Sequence, residues 1–381
     1  MSLIPADNAF AAVAALFVIA ALGFAMEKTR IGALLTGAVW AILFAILASN
    51  IGLIPQSSPG YSFVFTYFVP VLIPLFLMKA DLKKIFFETT RMTGAFLLAT
   101  LGTVAGAVVA FSLIDIGENQ AAAAGTFTAT YIGGSVNYAA LVDLTGLRAN
   151  DPNFVSAATA VDNLFSGLFL AFLAVMPGIA WISKRFVDRD HSEGEVEAEE
   201  NGKPTAMTLT ISITFALVVV VLGDLITGYL RENFGDAWGN WRYAIITVLA
   251  LIPATLIPKT MARLHGGYEL GLGLSFVFFA AIAAGADVVG LVQSAPVLIG
   301  LIAILLTVHG LVTFGLGSLF RLSLPELITA SNAAILGATT APALAAAKGW
   351  KDLVTPGVLV GVFGYAIGTI IATAVYQLWP S

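Results

Sequence analysis

Cysteine is absent from the chain, which excludes disulfides and thiolate metal sites. Histidine is scarce: His191, His265 and His309 are the only three, too far apart in sequence to suggest a metal cluster. Charge is thin as well. Asp, Glu, Lys and Arg make up 11% of residues, the formal balance is −5, and that excess comes largely from one acidic stretch, so no nucleic-acid partner is expected. The opening MSLIPADNAF lacks the basic flank of a signal peptide, and charge rather than a small-residue cleavage site follows the first apolar run, which therefore reads as a retained helix. What takes the place of charge is hydrocarbon: 59% hydrophobic residues and a mean hydropathy of +0.93. A surface of that composition faces lipid.

Crossing the roughly 30 Å hydrocarbon layer takes about 20 apolar residues. Ten segments qualify, near 9–26, 31–49, 62–78, 93–114, 154–182, 207–230, 243–257, 270–286, 296–320 and 353–378. Pro70 and Pro74 are expected to kink the third, and Pro253 and Pro258 the seventh. Two segments are left over, 121–147 and 328–350, rich in Gly, Thr, Ser and Asn and placed at the same point of each half. Backbone that leaves helical geometry at membrane depth persists only inside protein or beside a watery cavity. A repeat-related pair of such interruptions is where secondary transporters keep their binding site.

Basic residues decide whether these two segments cross or turn back. If both turn back and the N-terminus is outside, 15 of the 18 Lys and Arg are cytoplasmic and only Arg148, Arg231 and Arg242 are outside; if both cross, the split falls to 11 against 7. Length agrees, since a straight helix over 121–147 would be about 40 Å long, whereas arms of about 11 residues reach about 16 Å, to the midplane. The expected fold is an all-α polytopic membrane protein, N-out and C-out, with an inverted repeat of five spans plus one re-entrant hairpin in each half. The first repeat covers 1–182, an acidic cytoplasmic linker without functional role 183–206, and the second repeat 207–381. Ala80-Asp81-Leu82 lines up with Ala286-Asp287-Val288, and Ile132, Gly134, Leu141 and Gly146 with Ile335, Gly337, Leu344 and Gly349.

Asp162 is the strongest single site candidate. It lies eight residues into the span that starts at Phe154, roughly 12 Å deep, where a carboxylate needs a partner, solvent or a cation. Asn163 beside it adds an amide oxygen, and the pair is a candidate Na⁺ site. Candidate substrate-binding residues are Thr128, Thr130, Gly133, Gly134, Ser135 and Asn137 in the first hairpin, with Ser331, Asn332, Gly337, Thr339 and Thr340 in the second. No Lys or Arg sits at membrane depth, so an anionic solute would depend on inward half-helix dipoles and a co-bound cation. His309, mid-span, is a proton-relay candidate whose alternative is a hydrogen-bonded filler. Asp143 reads as interfacial or as a gate, and Asp224, Asp287 and Glu326 as structural. Trp181, Trp238, Trp241, Trp350 and Trp379 read as interfacial anchors.

The segments GTFTATYIGGSVNYAAL, PVLIPLFLMKADLKKIF and SNAAILGATTAPALAAAKGW together resemble the YjcL-like family of bacterial membrane proteins. That family is similar in organisation to sodium/glutamate symporters, bile acid/sodium symporters and cation:proton antiporters. The resemblance implies a bacterial cytoplasmic membrane protein with a core domain (62–182 and 270–378), a scaffold (9–49 and 207–257) that dimerises, and elevator-type movement of one against the other. Asp162-Asn163 also resembles the acidic/amide pair of the antiporters. The expected function is Na⁺-coupled symport, with H⁺ coupling second, of a small organic solute such as an amino acid, short peptide or carboxylate, without cofactor. Cation:proton antiport is the alternative; an intramembrane enzyme pairing Ser135 with His309 and a channel are remoter ones.

Overall fold

A computed structural model describes residues 2–29, 37–192, 202–285 and 288–380. In chain order the principal helices are α1 (Ala9–Glu27), α2 (Gly37–Asn50), α3 (Pro59–Leu77), α4 (Thr90–Leu113), α5 (Gln120–Leu144), α6 (Pro152–Val175), α7 (Ala206–Phe234), α8 (Arg242–Leu256), α9 (Gly267–Ala284), α10 (Val288–Leu319), α11 (Leu324–Leu336), α12 (Thr340–Ala347) and α13 (Val354–Leu378). The protein is all-helical among these residues. Eight helices, α1, α3, α4, α6, α7, α9, α10 and α13, hold stretches long and apolar enough to cross a membrane. The other two expected spans are shorter: α2 has 14 described residues, its expected first turns lying outside the described range, and α8 has 15. Pro253 sits inside α8 and Pro258 opens the next short helix, which accounts for its early stop. In α3, a π turn over Val64–Phe68 ends two residues before Pro70, the first of two prolines in the helix interior that withdraw an N–H.

Packing separates the helices into two groups. In one, α1 and α2 pack on α9, and α3 packs on α7, α8 and α9. In the other, α4, α5, α6, α10, α11, α12 and α13 pack on one another, with α5 against α13 and α4 against α10 as its tightest pairs. The third and eighth spans, which the sequence reading placed with the interrupted segments, pack chiefly on the first, second, sixth and seventh and also touch α5, α6 and α13. Glycines explain how close α4 and α10 come. A Cβ on Gly106 would stand 2.5 Å from the Leu305 carbonyl, and one on Gly102 2.8 Å from that of His309. Gly102 lies opposite His309, Gly106 opposite Leu305 and Ile114 opposite Gly300, so these two helices run antiparallel.

Both polar segments break at a glycine. Within α5, Gly133 (φ −129°, ψ 16°) and Gly134 (φ 64°, ψ −163°) leave helical geometry. Between α11 and α12, Gly337 takes φ 89°, ψ −169°. Gly134 and Gly337 thus share a region of backbone space that is essentially closed to other residues. At the base of the first segment, Asn119 Nδ2 donates to Asp151 Oδ2 at 3.3 Å, so its start lies beside the residue that caps α6. At the base of the second, His191 bridges the start and the end: its Nδ1 is 2.8 Å from Asp352 Oδ2 and its Nε2 2.8 Å from Ser323 Oγ. This part of the linker is therefore docked rather than solvated. The acidic run that follows, and Asp287, lie outside the described residues.

Candidate functional site

The site is built from the two breaks and the helices behind them. Thr130, one turn before the first break, donates its hydroxyl to Asp162 Oδ2 at 3.3 Å. Asp162 is buried on α6, and its second oxygen, Oδ1, has no hydrogen-bond partner among the described residues. Tyr131 is fully buried, with its hydroxyl directed at Asp162 and Ser166 but in no hydrogen bond of good geometry. Ser166 follows Asp162 by four residues and so projects from the same face of α6. Carboxylate, phenol and two hydroxyls form an all-oxygen cluster, the donor chemistry that hard cations and protons share.

Tyr365 joins the two breaks. Its hydroxyl accepts the Ala338 N–H at 3.2 Å, next to Gly337, while its carbonyl accepts Asn137 Nδ2 at 3.2 Å. The ring lies 3.8 Å from where a Cβ on Gly134 would stand. Asp162 is 28 residues beyond Gly134, and Tyr365 is 28 residues beyond Gly337. Each break is therefore followed, at the same spacing, by a polar side chain that reaches back to it. Asn137 Oδ1, fully buried, has no partner among the described residues. Ser135 and Thr339, at the two tips, are exposed although nearly everything around them is buried.

His309 ties the two segments from behind. Thr103 donates to the Tyr131 carbonyl at 2.9 Å and lies 2.9 Å from His309 Nδ1. With its proton committed to that carbonyl, Thr103 can only accept from the ring, so Nδ1 carries hydrogen, and Nε2 lies 2.8 Å from Ser331 Oγ. An imidazole with both nitrogens engaged is a bridge between the segments. It is paired with Ser331, not with the Ser135 that the enzymatic alternative required.

The remaining candidates divide. Asn332 and Thr340 bond each other across the second break, Nδ2 to the Thr340 carbonyl at 3.0 Å and the Thr340 hydroxyl to Oδ1 at 2.8 Å. Thr128 turns into its own helix and bonds the Ala124 carbonyl at 2.7 Å. Asn163 Nδ2 is likewise spent on the Thr159 carbonyl, at 2.8 Å. Asp143 accepts the Tyr243 hydroxyl at 2.5 Å, and Asp224 pairs with Arg242, in a polar patch at the helix ends. Glu326 caps α11 and pairs with Arg91 at 2.8 Å. The sequence reading passed over Ser166 and Tyr365, although the i, i+4 relation and the 28-residue spacing were both available. Ser323, His191 and Asp352 stand in the hydroxyl–imidazole–carboxylate order of a hydrolase triad. Ser323 is nevertheless fully buried and accepts the Glu326 N–H as a helix cap, which makes the trio a clasp.

These features define a multi-pass helical membrane protein with polar chemistry gathered at two mid-chain breaks. The family model described as "Protein of unknown function (DUF819)" matches residues 14–379, and the chain belongs to that family. It is 32% identical over 399 aligned positions to "Uncharacterized membrane protein YjcL" of Bacillus subtilis (strain 168), with 98% of this chain and 97% of that protein covered.

Proposed function

We propose that the chain is a secondary active transporter that couples Na⁺, or with less support H⁺, to the movement of a small organic solute such as an amino acid, short peptide or carboxylate. The observation that carries this reading is the meeting of two glycine breaks at Tyr365 beside a buried carboxylate with one oxygen unpartnered. Asp162, with Thr130, Tyr131 and Ser166, holds the cation; the exposed tips at Ser135 and Thr339, with Asn137, meet the solute. The polar segments are re-entrant hairpins of an inverted repeat. In support, Asn119 bonds Asp151, and His191 spans Ser323 and Asp352, which joins the two ends of each segment. With α5 turning back and α6 to α9 each crossing once, α10 runs antiparallel to α4, as observed; with α5 crossing it would run parallel. The helix group that carries the hairpins moves as an elevator against a scaffold that includes α3 and α9. The scaffold pairs two copies in a bacterial cytoplasmic membrane.

Proton exchange at Asp162 in a cation:proton antiporter is the second reading, favoured by the fact that, among the described residues, Asp162 has one protein partner of good geometry and no basic one. The test is the melting temperature of detergent-purified protein in Na⁺ against K⁺ or choline at equal ionic strength. A bound ligand stabilises the folded state by RT ln(1 + [L]/Kd), about 2.7 kcal/mol at a hundredfold excess over Kd. A rise specific to Na⁺ that Asp162→Asn abolishes supports the sodium site. A Na⁺ rise that survives in the variant removes Asp162 from it, and none in either protein transfers the reading to protons. Ion flux without added solute distinguishes antiport.

A further inference from the structure

Outside the polar site, a groove of about 640 Å³ runs between α6 and α10. Its walls are hydrocarbon and aromatic: Leu168, Phe169 and Phe172 from α6, Leu306, Leu311 and Phe314 from α10. Its floor includes Gly310 and Gly315, above which there is open space where a side chain would stand. Leu311, 70% exposed, marks the side open to the bilayer. At the linker end the groove stops being apolar. Trp181, 68% exposed, and Arg185, its guanidinium 4.0 Å over the Trp181 ring, close it off. Lys184 adjoins Arg185 in sequence, with no acidic residue from 176 to 187; Arg189 follows between Asp188 and Asp190. An apolar trough ending in a tryptophan and a cluster of cations repeats, over a few turns, the change from acyl chain to phosphate along a lipid.

We infer that this groove binds an anionic phospholipid, with an acyl chain along α6 and α10 and its phosphate at Arg185 in the leaflet that faces the linker. Charge complementarity selects the occupant. A second copy of the chain would bring its own basic cluster to the same place, and a zwitterionic lipid would bring a cationic headgroup amine beside the cluster along with its phosphate. The site also bears on the polar centre. Phe169 in its wall packs edge-on against His309, with ring centroids 5.7 Å apart, so an acyl chain here rests one side chain away from the bridge between the two segments. The inference does not rest on the transport reading.

The probe is palmitoyl-oleoyl phosphatidylglycerol added to the delipidated full chain in detergent, with phosphatidylcholine at the same concentration as reference. Melting temperature and native mass spectrometry are read together. The wild type should retain phosphatidylglycerol and melt higher with it than with phosphatidylcholine. Arg185→Gln, outside the membrane layer, should weaken phosphatidylglycerol at least tenfold and erase that preference. Gly310→Leu, whose side chain enters the open groove, should lose the bound lipid while melting normally without lipid. Preference that persists in both variants overturns the inference, as does its absence from the wild type. A wild-type dimer that Gly310→Leu converts to monomer would show that a second copy covers the groove instead.

Discussion

Gly134 and Gly337 carry the same constraint for the same reason. Each must adopt positive φ with ψ near 180°, where any Cβ collides with its own backbone, at a cost on the order of 1–3 kcal/mol. Gly337 has a second reason, since a Cβ there would stand 2.9 Å from the Tyr365 hydroxyl that holds the Ala338 N–H. Gly134→Ala should therefore lower stability by about 1–3 kcal/mol, and Gly337→Ala by more. Gly273→Ala, on α9 with helical geometry and open space around it, serves as the control and should change stability by no more than about 1 kcal/mol, in the stabilising direction. Denaturation in detergent measures all three, and equal losses at the three positions would remove the special status of the breaks. These glycines were visible in the sequence because Gly in a polar run inside apolar helices has few bland explanations. Tyr365 was not visible, because an aromatic residue among Val, Gly and Ala reads as core or lipid contact until the spacing from Gly337 is compared with that of Asp162 from Gly134.

The second polar segment is held at its base by bonds that differ in exposure, which allows them to be separated by mutation. Arg91 is half-exposed and forks onto both oxygens of Glu326, at 2.8 and 3.1 Å, while the Glu326 side chain is nearly buried. Glu326 also accepts the Ser323 N–H at 2.7 Å and so completes a capping box on α11. Removing Arg91 alone leaves a mostly buried carboxylate with only that N–H as partner, and Arg91→Gln should cost about 1–3 kcal/mol. Gln at 326 keeps the capping bond and discards the charge, so Arg91→Gln with Glu326→Gln should recover most of the loss. A double variant no more stable than Arg91→Gln alone would show that the charge is not what matters. Glu326 was read from the sequence as structural, but its partner lies 235 residues away, and neither pattern nor period reaches that far. The same limit applies to the third and eighth spans. Hydropathy tells that α3 and α9 belong in the membrane; which neighbours they pack on depends on side-chain shape, such as Phe65 edge-on to Phe278 and Phe24 stacked 4.0 Å from Phe276.

For the molecule as a whole, the decisive question is on which side of the bilayer each segment base lies, and the absence of cysteine makes the answer direct. A single introduced thiol is the only one in the chain, so its reaction with a membrane-impermeant maleimide reports one position. Glu118 and Ala149 are exposed at the two ends of the first segment, and Phe320 and Lys348 at the two ends of the second. Ser192, exposed next to the clasp at His191, belongs with the second pair. If both segments turn back, Glu118→Cys and Ala149→Cys label from one face of intact cells, and Phe320→Cys, Lys348→Cys and Ser192→Cys only after the membrane is opened. If α5 crosses, Glu118→Cys and Ala149→Cys fall on opposite faces. The basic residues then divide evenly, 9 to 9, or 11 to 7 if the second segment crosses too, instead of 15 to 3, and the Asn119–Asp151 bond would have to span the bilayer, about ten times its 3.3 Å. Labelling of the first pair from opposite faces would therefore overturn the hairpins, the inverted repeat and the shared midplane depth of Gly134 and Gly337 together. Labelling from the same face would leave alternating access as the natural use of two polar tips that meet at Tyr365.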